Sequence, residues 1–483
     1  MTRPRIVVVG GGFAGAECLH RLERRLAPAD AELTLVSPTD YQLYLPLLPH
    51  VASGILTPQS VAVSLRRRLR RTGIVPGTAE TVDTAARTVT VLPPAGEPFA
   101  LPYDHLVLAA GSTTRTFDIP GLTDHAFGMK TLAQAAYLRD HVIAQLDLAA
   151  AATDEAERAA RMRFVVVGGG YAGVETLAAL QRLTAAATGR FPRLDPHLLA
   201  WHLVDVAPAL LPELGDRLGR KALDTLRRRG VEVSLGTSVR RVAPDAVELT
   251  DGRTLPTRTL VWTAGVAASP LVATLGTATL RGRLVTAADL TVPGADGVLA
   301  VGDAAAVPDL AVGGDAVTPP TAQHAQRQGR AAADNLVALL RGAAPAPYRH
   351  RDLGLVVDLG GTEAVAKPLG VELSGLPAQA VARGYHLLAL PTVTARTRVL
   401  VNWLLNATTG DDFVRTGLQQ GRPATIPDFE PTGRPARPRA AEQPSADGQP
   451  RPEEHGETAP AADRDDADRA DADSTDRAYA GRP

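Results

Sequence analysis

The sequence predicts an α/β chain of two doubly wound parallel-sheet units, the second inserted into the first. Two glycine-rich runs carry that reading, Gly10-Gly11-Gly12-Phe13-Ala14-Gly15 and Gly168-Gly169-Gly170-Tyr171-Ala172-Gly173. Each follows an apolar run, Ile6 to Val9 and Phe164 to Val167, and leads into a stretch of helical character. Strand, tight turn and helix N-terminus are the context a dinucleotide fingerprint requires. The first glycine makes the turn, the second admits a pyrophosphate to the backbone, and the third lets helix and strand pack closely. The phosphate charge then meets the unpaired N–H groups and the dipole of the helix. Two copies on one chain imply two Rossmann-like domains and two redox dinucleotides facing each other.

The elements follow in order. Strand 5–9 and helix 14–26 open the first unit, and Glu32 to Ser37 forms its second strand. Residues 61–71 are arginine-rich and of helical character, and Val75 to Leu92 alternates as small antiparallel strands do. A strand at Leu106 to Ala110 ends in Gly111-Ser112. The second fingerprint starts a further βαβ unit whose next strand is Trp201 to Asp205. Strand-like pieces at 231–233, 247–249 and 260–262 continue it. Gly297 to Asp303 returns the chain to the first unit, and a third region begins beyond residue 346.

Composition narrows the function. A net charge of −1 over 483 residues argues against a nucleic-acid surface. The single cysteine, Cys18, excludes an intramolecular disulfide, a Cys-x-x-Cys redox pair and a thiolate metal cluster, and reads as a small buried hydrophobe. No zinc-ligand spacing occurs, so no metal is expected. Only Lys130, Lys221 and Lys367 stand against a crowd of arginines. No signal-peptide pattern and no run of about 18 apolar residues is seen, which predicts a cytosolic body. Residues 421–483 hold 14 acidic residues and 9 arginines with few large apolar side chains, and are expected to be a disordered tail.

The motifs as a set resemble the type II NADH dehydrogenases. They are the first fingerprint, Tyr41-Gln42-Leu43-Tyr44-Leu45-Pro46-Leu47-Leu48, Leu106 to Ser112, Val204 to Pro212, Val261 to Val266, Ala300 to Ala304, and Pro319 to Ala325. The resemblance covers roughly residues 4–415. It implies an FAD-binding domain in two parts (1–118 and 289–345), an inserted NADH-binding domain (119–288), a C-terminal membrane or interface region (346–420), and the tail. It further implies transfer of electrons from NADH through non-covalent FAD to a quinone, without proton pumping, at the cytoplasmic face of the cell membrane, with a homodimer as a possible assembly. Two alternatives stay open: a soluble NAD(P)H-dependent flavin reductase for a small acceptor, and a redox-sensing FAD/NADH-binding interaction protein.

The resemblance assigns FAD to Gly10, Gly12 and Gly15, with Gly111, Gly302 and Asp303 beside it. Ser37 stands where an acidic residue usually holds the adenosine ribose, and a hydroxyl is the weaker partner. NADH is assigned to Gly168, Gly170, Gly173 and Gly265, with Asp205 accepting both ribose hydroxyls and repelling a 2′-phosphate. Residues Thr184 to Leu199 lengthen the interval before Asp205. Glu175 and Gln323 are the implied catalytic residues: Glu175 for NADH binding or proton supply, Gln323 beside the flavin and quinone. Otherwise Glu175 is a carboxylate favoured by the helix dipole. The family pattern Ala-Gln-x-Ala-x-Gln ends here in Arg327, which leaves the electron acceptor open; His324, Gln326 and Gln328 are neighbouring polar side chains. Two apolar segments with arginines, 380–390 and 396–405, suit helices lying in a membrane interface, with Tyr385 and Trp403 as interfacial aromatics, or helices packed on the core.

Overall fold

The computed structural model describes residues 3–417 and 424–430. The principal elements of the first half are β1 (Arg5–Val9), α1 (Phe13–Arg25), β2 (Glu32–Ser37), β3 (Gly73–Pro76), β4 (His105–Leu108) and α2 (Leu132–Ala151). They are followed by β5 (Arg163–Val167), α3 (Tyr171–Thr188), β6 (Ala200–Asp205), α4 (Asp216–Arg228), β7 (Val231–Leu235) and β8 (Thr259–Trp262). The remainder contributes β9 (Val298–Ala300), α5 (Ala322–Leu340), β10 (Val356–Asp358), β11 (Ala364–Ala366), α6 (Leu376–Ala389), α7 (Val393–Thr409) and α8 (Ile426–Phe429).

Two parallel sheets organise these elements. The first runs β9-β4-β1-β2-β3 and the second β7-β6-β5-β8. Their central strands are buried on both faces and read as unbroken Val/Ile/Leu runs, as covered parallel sheets do. β9 joins the first sheet beside β4, so the second sheet is an insertion between them.

Both crossings between the halves sit just past strand ends. Ser112–Thr114 pairs antiparallel with Val266–Ala268, immediately after Gly111 and Gly265. The return to the first half lies earlier than residue 289, because Leu271, Val272, Leu275 and Leu284 already belong to the core around β1 and α1. The arginine-rich stretch is broken into two short helices around a strand, Ala62–Ser64, which pairs with Tyr41–Leu43. Val75 lies on β3, the edge of the first sheet, and the antiparallel strands begin only at Thr78. Cys18 is fully buried, and burial pushes its thiol far above the ordinary range.

The C-terminal region packs on the inserted half. Val357, Leu359, Val365, Leu390 and Trp403 share one core with α3, β6 and Leu47–Val51. Arg229 donates to the carbonyls of Leu359 and Gly360, and the Arg182 side chain lies against Gly360 and Gly361. The interfacial role given to Trp403 is corrected here: its ring is 7% exposed and its Nε1 donates to His50 Nδ1. The outward apolar side chains are Leu376, Leu388, Val393, Leu400, Val401, Leu404 and Leu405 instead.

The tail boundary at 421 is also corrected. Thr425 caps the single turn α8, Ile426 is buried, and Glu430 reaches into the crossing between the halves. Its carboxylate accepts from Thr114 N (2.7 Å), Thr114 Oγ1 (2.6 Å) and Gln134 Nε2 (2.8 Å). The rest of the expected tail lies outside the described residues. Truncation before Ala424, or E430A, strands these buried donors and is expected to cost about 1–3 kcal/mol per unsatisfied group. Urea unfolding checks this; an unchanged midpoint would mean that Glu430 makes no net contribution.

Candidate functional site

The two fingerprints are built alike. Gly10 and Gly168 have φ of +104° and +117°, and a Cβ at either would collide with Ala109 or Thr263 at the end of the neighbouring strand. A Cβ on Gly15 or Gly173 would stand 1.9 Å from the carbonyl oxygen of Gly10 or Gly168. Nothing lies within 4 Å of a Cβ built at Gly12 or Gly170, which leaves the approach to each helix N-terminus open for a pyrophosphate. This shape and donor set fit two dinucleotides, one on each half.

The strand-end residues complete the likeness. Asp205 accepts from Gly169 N on one oxygen and from Ala207 N (2.6 Å) on the other, so it bridges the fingerprint and its own turn. Ser37 occupies the matching place, but it is buried and its Oγ donates to Thr39 O (2.8 Å). Its proton is therefore spent within the turn.

On the first half, Gly302-Asp303 follows β9. Gly302 N donates to Gln328 Oε1 (2.7 Å), and Gln328 Nε2 donates to Thr318 Oγ1 (3.0 Å). Gln328 is thus a brace for the turn. Asp303 Oδ2 accepts from Ser112 Oγ (2.6 Å), which accepts in turn from Lys130 Nζ (2.8 Å). Burial lowers the Lys130 ammonium pKa, against the raising effect of Asp303 and Glu430.

Glu175 lies in the second turn of α3 at the joint with the C-terminal region, half-buried on the wall of a cavity. Burial, with the charge of Asp358, pushes its carboxyl up to about 8, against a bond from Asp358 N (2.8 Å). Asp358 behaves oppositely. Burial opposes its ionisation, but His50, the Gly360 N–H and Gln379 outweigh it and hold its carboxyl down at about 2. His50 Nε2 lies 3.1 Å from Asp358 Oδ2 and its Nδ1 accepts from Trp403 (3.2 Å), which a proton on Nε2 satisfies. Beside them His386 Nδ1 meets Tyr44 OH at 3.2 Å, and burial pushes His386 down to about 4. Glu175, His50, Asp358, His386 and Trp403 line one narrow cavity.

Gln323, on the first turn of α5, is more fully engaged than its motif suggests. Its Oε1 accepts from Leu353 N (2.8 Å) and meets His350 Nε2 (3.0 Å), and its Nε2 donates to Asp352 (3.1 Å). One amide hydrogen remains. Arg327 turns back onto the Gln323 carbonyl (3.1 Å), and His324 packs against Tyr348 OH (2.9 Å). Gln326 faces another side of the molecule. Sequence reasoning missed His50, Asp358, His386 and Lys130. Lys130 carried a signal, as one of three lysines in an arginine-dominated chain; Asp358 carried none, since its partners are remote in sequence. Among the described residues no cluster holds a metal and no helix is long and apolar enough to cross a membrane.

Comparison places these features among known proteins. Residues 4–329 match the family model of pyridine nucleotide-disulphide oxidoreductases. The type II NADH:quinone oxidoreductase Ndh of Mycobacterium tuberculosis is 32% identical over 444 residues, covering 86% of this chain and 93% of that one. The type II NADH:quinone oxidoreductase of Staphylococcus aureus is 29% identical over 387 residues, covering 77% of this chain and 92% of that one. The structure of NDH2 from Plasmodium falciparum in complex with NADH superposes with a TM-score of 0.79 at 18% identity. It covers 86% of this chain and 100% of that one.

Glu175 ties stability to pH. Between its ordinary value of 4.5 and about 8, the folded protein keeps a proton that the unfolded chain has released. Stability therefore falls as pH rises through that window. E175Q is expected to flatten this decline. Thermal unfolding at about pH 5 and about pH 8.5 measures it, and an equal fall in the variant would contradict the assignment.

Proposed function

The chain belongs to the pyridine nucleotide-disulphide oxidoreductase family, in its type II NADH:quinone oxidoreductase branch, and we propose that it passes electrons from NADH through FAD to a membrane quinone. The observation that carries the acceptor half is the hydrogen-bonded series Glu175, Asp358, His50 and Trp403. It links the helix of the NADH fingerprint to the helix pair whose outer face is apolar.

Bound FAD supplies the two-electron carrier between nicotinamide and quinone. The residues of this chain position the partners and handle the proton. Reduction of a quinone to a quinol consumes two electrons and two protons, whereas NADH delivers two electrons with one. The second proton has to reach the acceptor from the protein. Glu175, held protonated at neutral pH by burial, is the group for this task. Asp358 orients it through the backbone and anchors His50. Gln323 offers its remaining amide hydrogen to a quinone carbonyl, and Asp352 and His350 fix its orientation.

Membrane contact is assigned to α6 and α7. Leu388 and Val393 are 72% and 74% exposed and Leu404 is 58% exposed, on a face that arginines flank. Such a face suits the interfacial zone of a bilayer better than water. NADH selectivity is assigned to Asp205 and the FAD ribose to Ser37, whose spent hydroxyl makes that contact a weak one.

Two measurements follow. D205A is expected to raise the KM for NADH about 10- to 100-fold, the loss of one charged acceptor worth about 1.5–3 kcal/mol. Similar wild-type kcat/KM for NADH and NADPH would refute the ribose role. In sequential-mixing stopped flow, E175Q and L388S/L404S are expected to keep flavin reduction by NADH near the wild-type rate and to slow reoxidation by quinone. The wild-type reoxidation rate should drop as pH rises through about 8, and E175Q should lose that dependence. Reoxidation at the wild-type rate in both variants would favour the soluble flavin reductase.

A further inference from the structure

A second cavity, of about 700 Å³, opens between α1, α5 and the turn that joins α6 to α7. Its wall carries six arginines from four separate parts of the fold: Arg21, Arg24 and Arg25 on α1, Arg68, Arg330 on α5, and Arg396 on α7. The one acid in the wall, Glu17, is already held by Arg68 and by Arg330 (2.7 Å). Asp334 takes Arg21 at 2.8 Å and lies 3.8 Å from Arg25. Glu23, the other acid of α1, accepts from the backbone N–H groups of Arg70, Arg71 and Thr72. Guanidinium groups therefore outnumber the carboxylates facing them. Burial and the neighbouring Arg68 push His20, at the same wall, below its ordinary value.

Arginines in a last helical turn favour the helix dipole, which accounts for Arg24 and Arg25. Arg68, Arg330 and Arg396 converge from other elements but are engaged by Glu17 and the rim carbonyls, so Arg24 and Arg25 bring to the same concavity the charge least offset by carboxylates. Planar guanidinium forks match phosphate oxygens, and a concave basic site with room beyond a phosphate suits a phosphate group carried on a larger molecule. The rim adds a second property. Leu388, Ala389, Leu390 and Pro391 line the cavity, Leu388 projects from it, and Val393 is exposed just beyond. A ligand that fills this site is anionic at one end and apolar at the other.

We propose that the cavity binds the phosphate headgroup of an anionic phospholipid, whose acyl chains leave over Leu388 and Val393 along the outer face of α6 and α7. The proposal rests on the assignment of that face to the bilayer. It adds that the protein selects lipids by charge at a defined place. Arg396 donates to the carbonyls of Leu388 (2.9 Å) and Leu390 (2.9 Å), so it also shapes the rim.

Flotation of the FAD-loaded full chain with two kinds of vesicle tests this. One is phosphatidylcholine alone, the other equal parts phosphatidylcholine and phosphatidylglycerol. The wild type is expected to prefer the mixed vesicles. R24Q/R25Q should lose about fivefold per arginine there, roughly 25-fold for the pair. R227Q/R228Q, an equal loss of charge on exposed positions of α4, should bind as the wild type does. Equal losses in the two double variants, or no preference between vesicles, would overturn the headgroup site while leaving the bilayer assignment standing. L388S/V393S bound as well as wild type to both vesicles would overturn the bilayer assignment itself. Thermal-shift titration with inorganic phosphate forms the last arm. Arginine-dependent stabilisation by phosphate, with vesicle binding unaffected in R24Q/R25Q, would assign the cavity to a free anion and overturn the lipid.

Discussion

The close approach of a helix to the turn that feeds it is the constraint on which this architecture depends. In both halves a glycine Cα sits where a single further carbon would stand 1.9 Å from a carbonyl oxygen. That contact sets how far α1 and α3 lie from their sheets, and hence where their first N–H groups point. A similar close contact recurs between α1 and α5, where a Cβ on Gly329 would stand 2.2 Å from the carbonyl of Ala14. The two helices flanking the first fingerprint thereby meet backbone to backbone. Gln328, beside that contact, braces the Gly302 turn, so the two glycine-bearing turns of the first half are tied through one helix.

Features governed by local sequence were legible before the structure. Strand, glycine turn and helix are encoded within some fifteen residues, and both fingerprints took the expected geometry. The return of Val298–Ala300 to the first sheet was legible too, because a buried parallel strand reads as an apolar run. Trp403 was misread, since an aromatic beside leucines and arginines looks the same whether it faces lipid or a buried histidine. The reach of Glu430 into the interior was missed because one buried carboxylate in an acidic tail has no local signature. Ser37 and Gln323 were found as positions, but their hydrogen-bond commitments depend on Thr39 and on residues 350–353.

The joint between the inserted half and the C-terminal region concentrates opposed electrostatics in a small volume. Two carboxyls joined by one backbone bond are driven apart, one to about 8 and the other to about 2. Burial acts on both, and the difference lies in donors. Asp358 receives three from side chains and backbone, whereas Glu175 receives one. Carboxyls separated in this way can divide labour, one holding a proton and the other an orientation.

The split of the first sheet has a consequence for the order of assembly. β4 waits for β9, its partner on the outer side, until the whole inserted half has been synthesised. The inserted sheet has all its strands within residues 163–262 and can close as soon as they emerge. Its partner sheet therefore finishes second, around a neighbour already formed. Glu430 meets Thr114 across 316 residues of chain, so the crossing between the halves is fastened last of all. A ribosome stalled before residue 424 would present both sheets complete and the seam between them still unfastened.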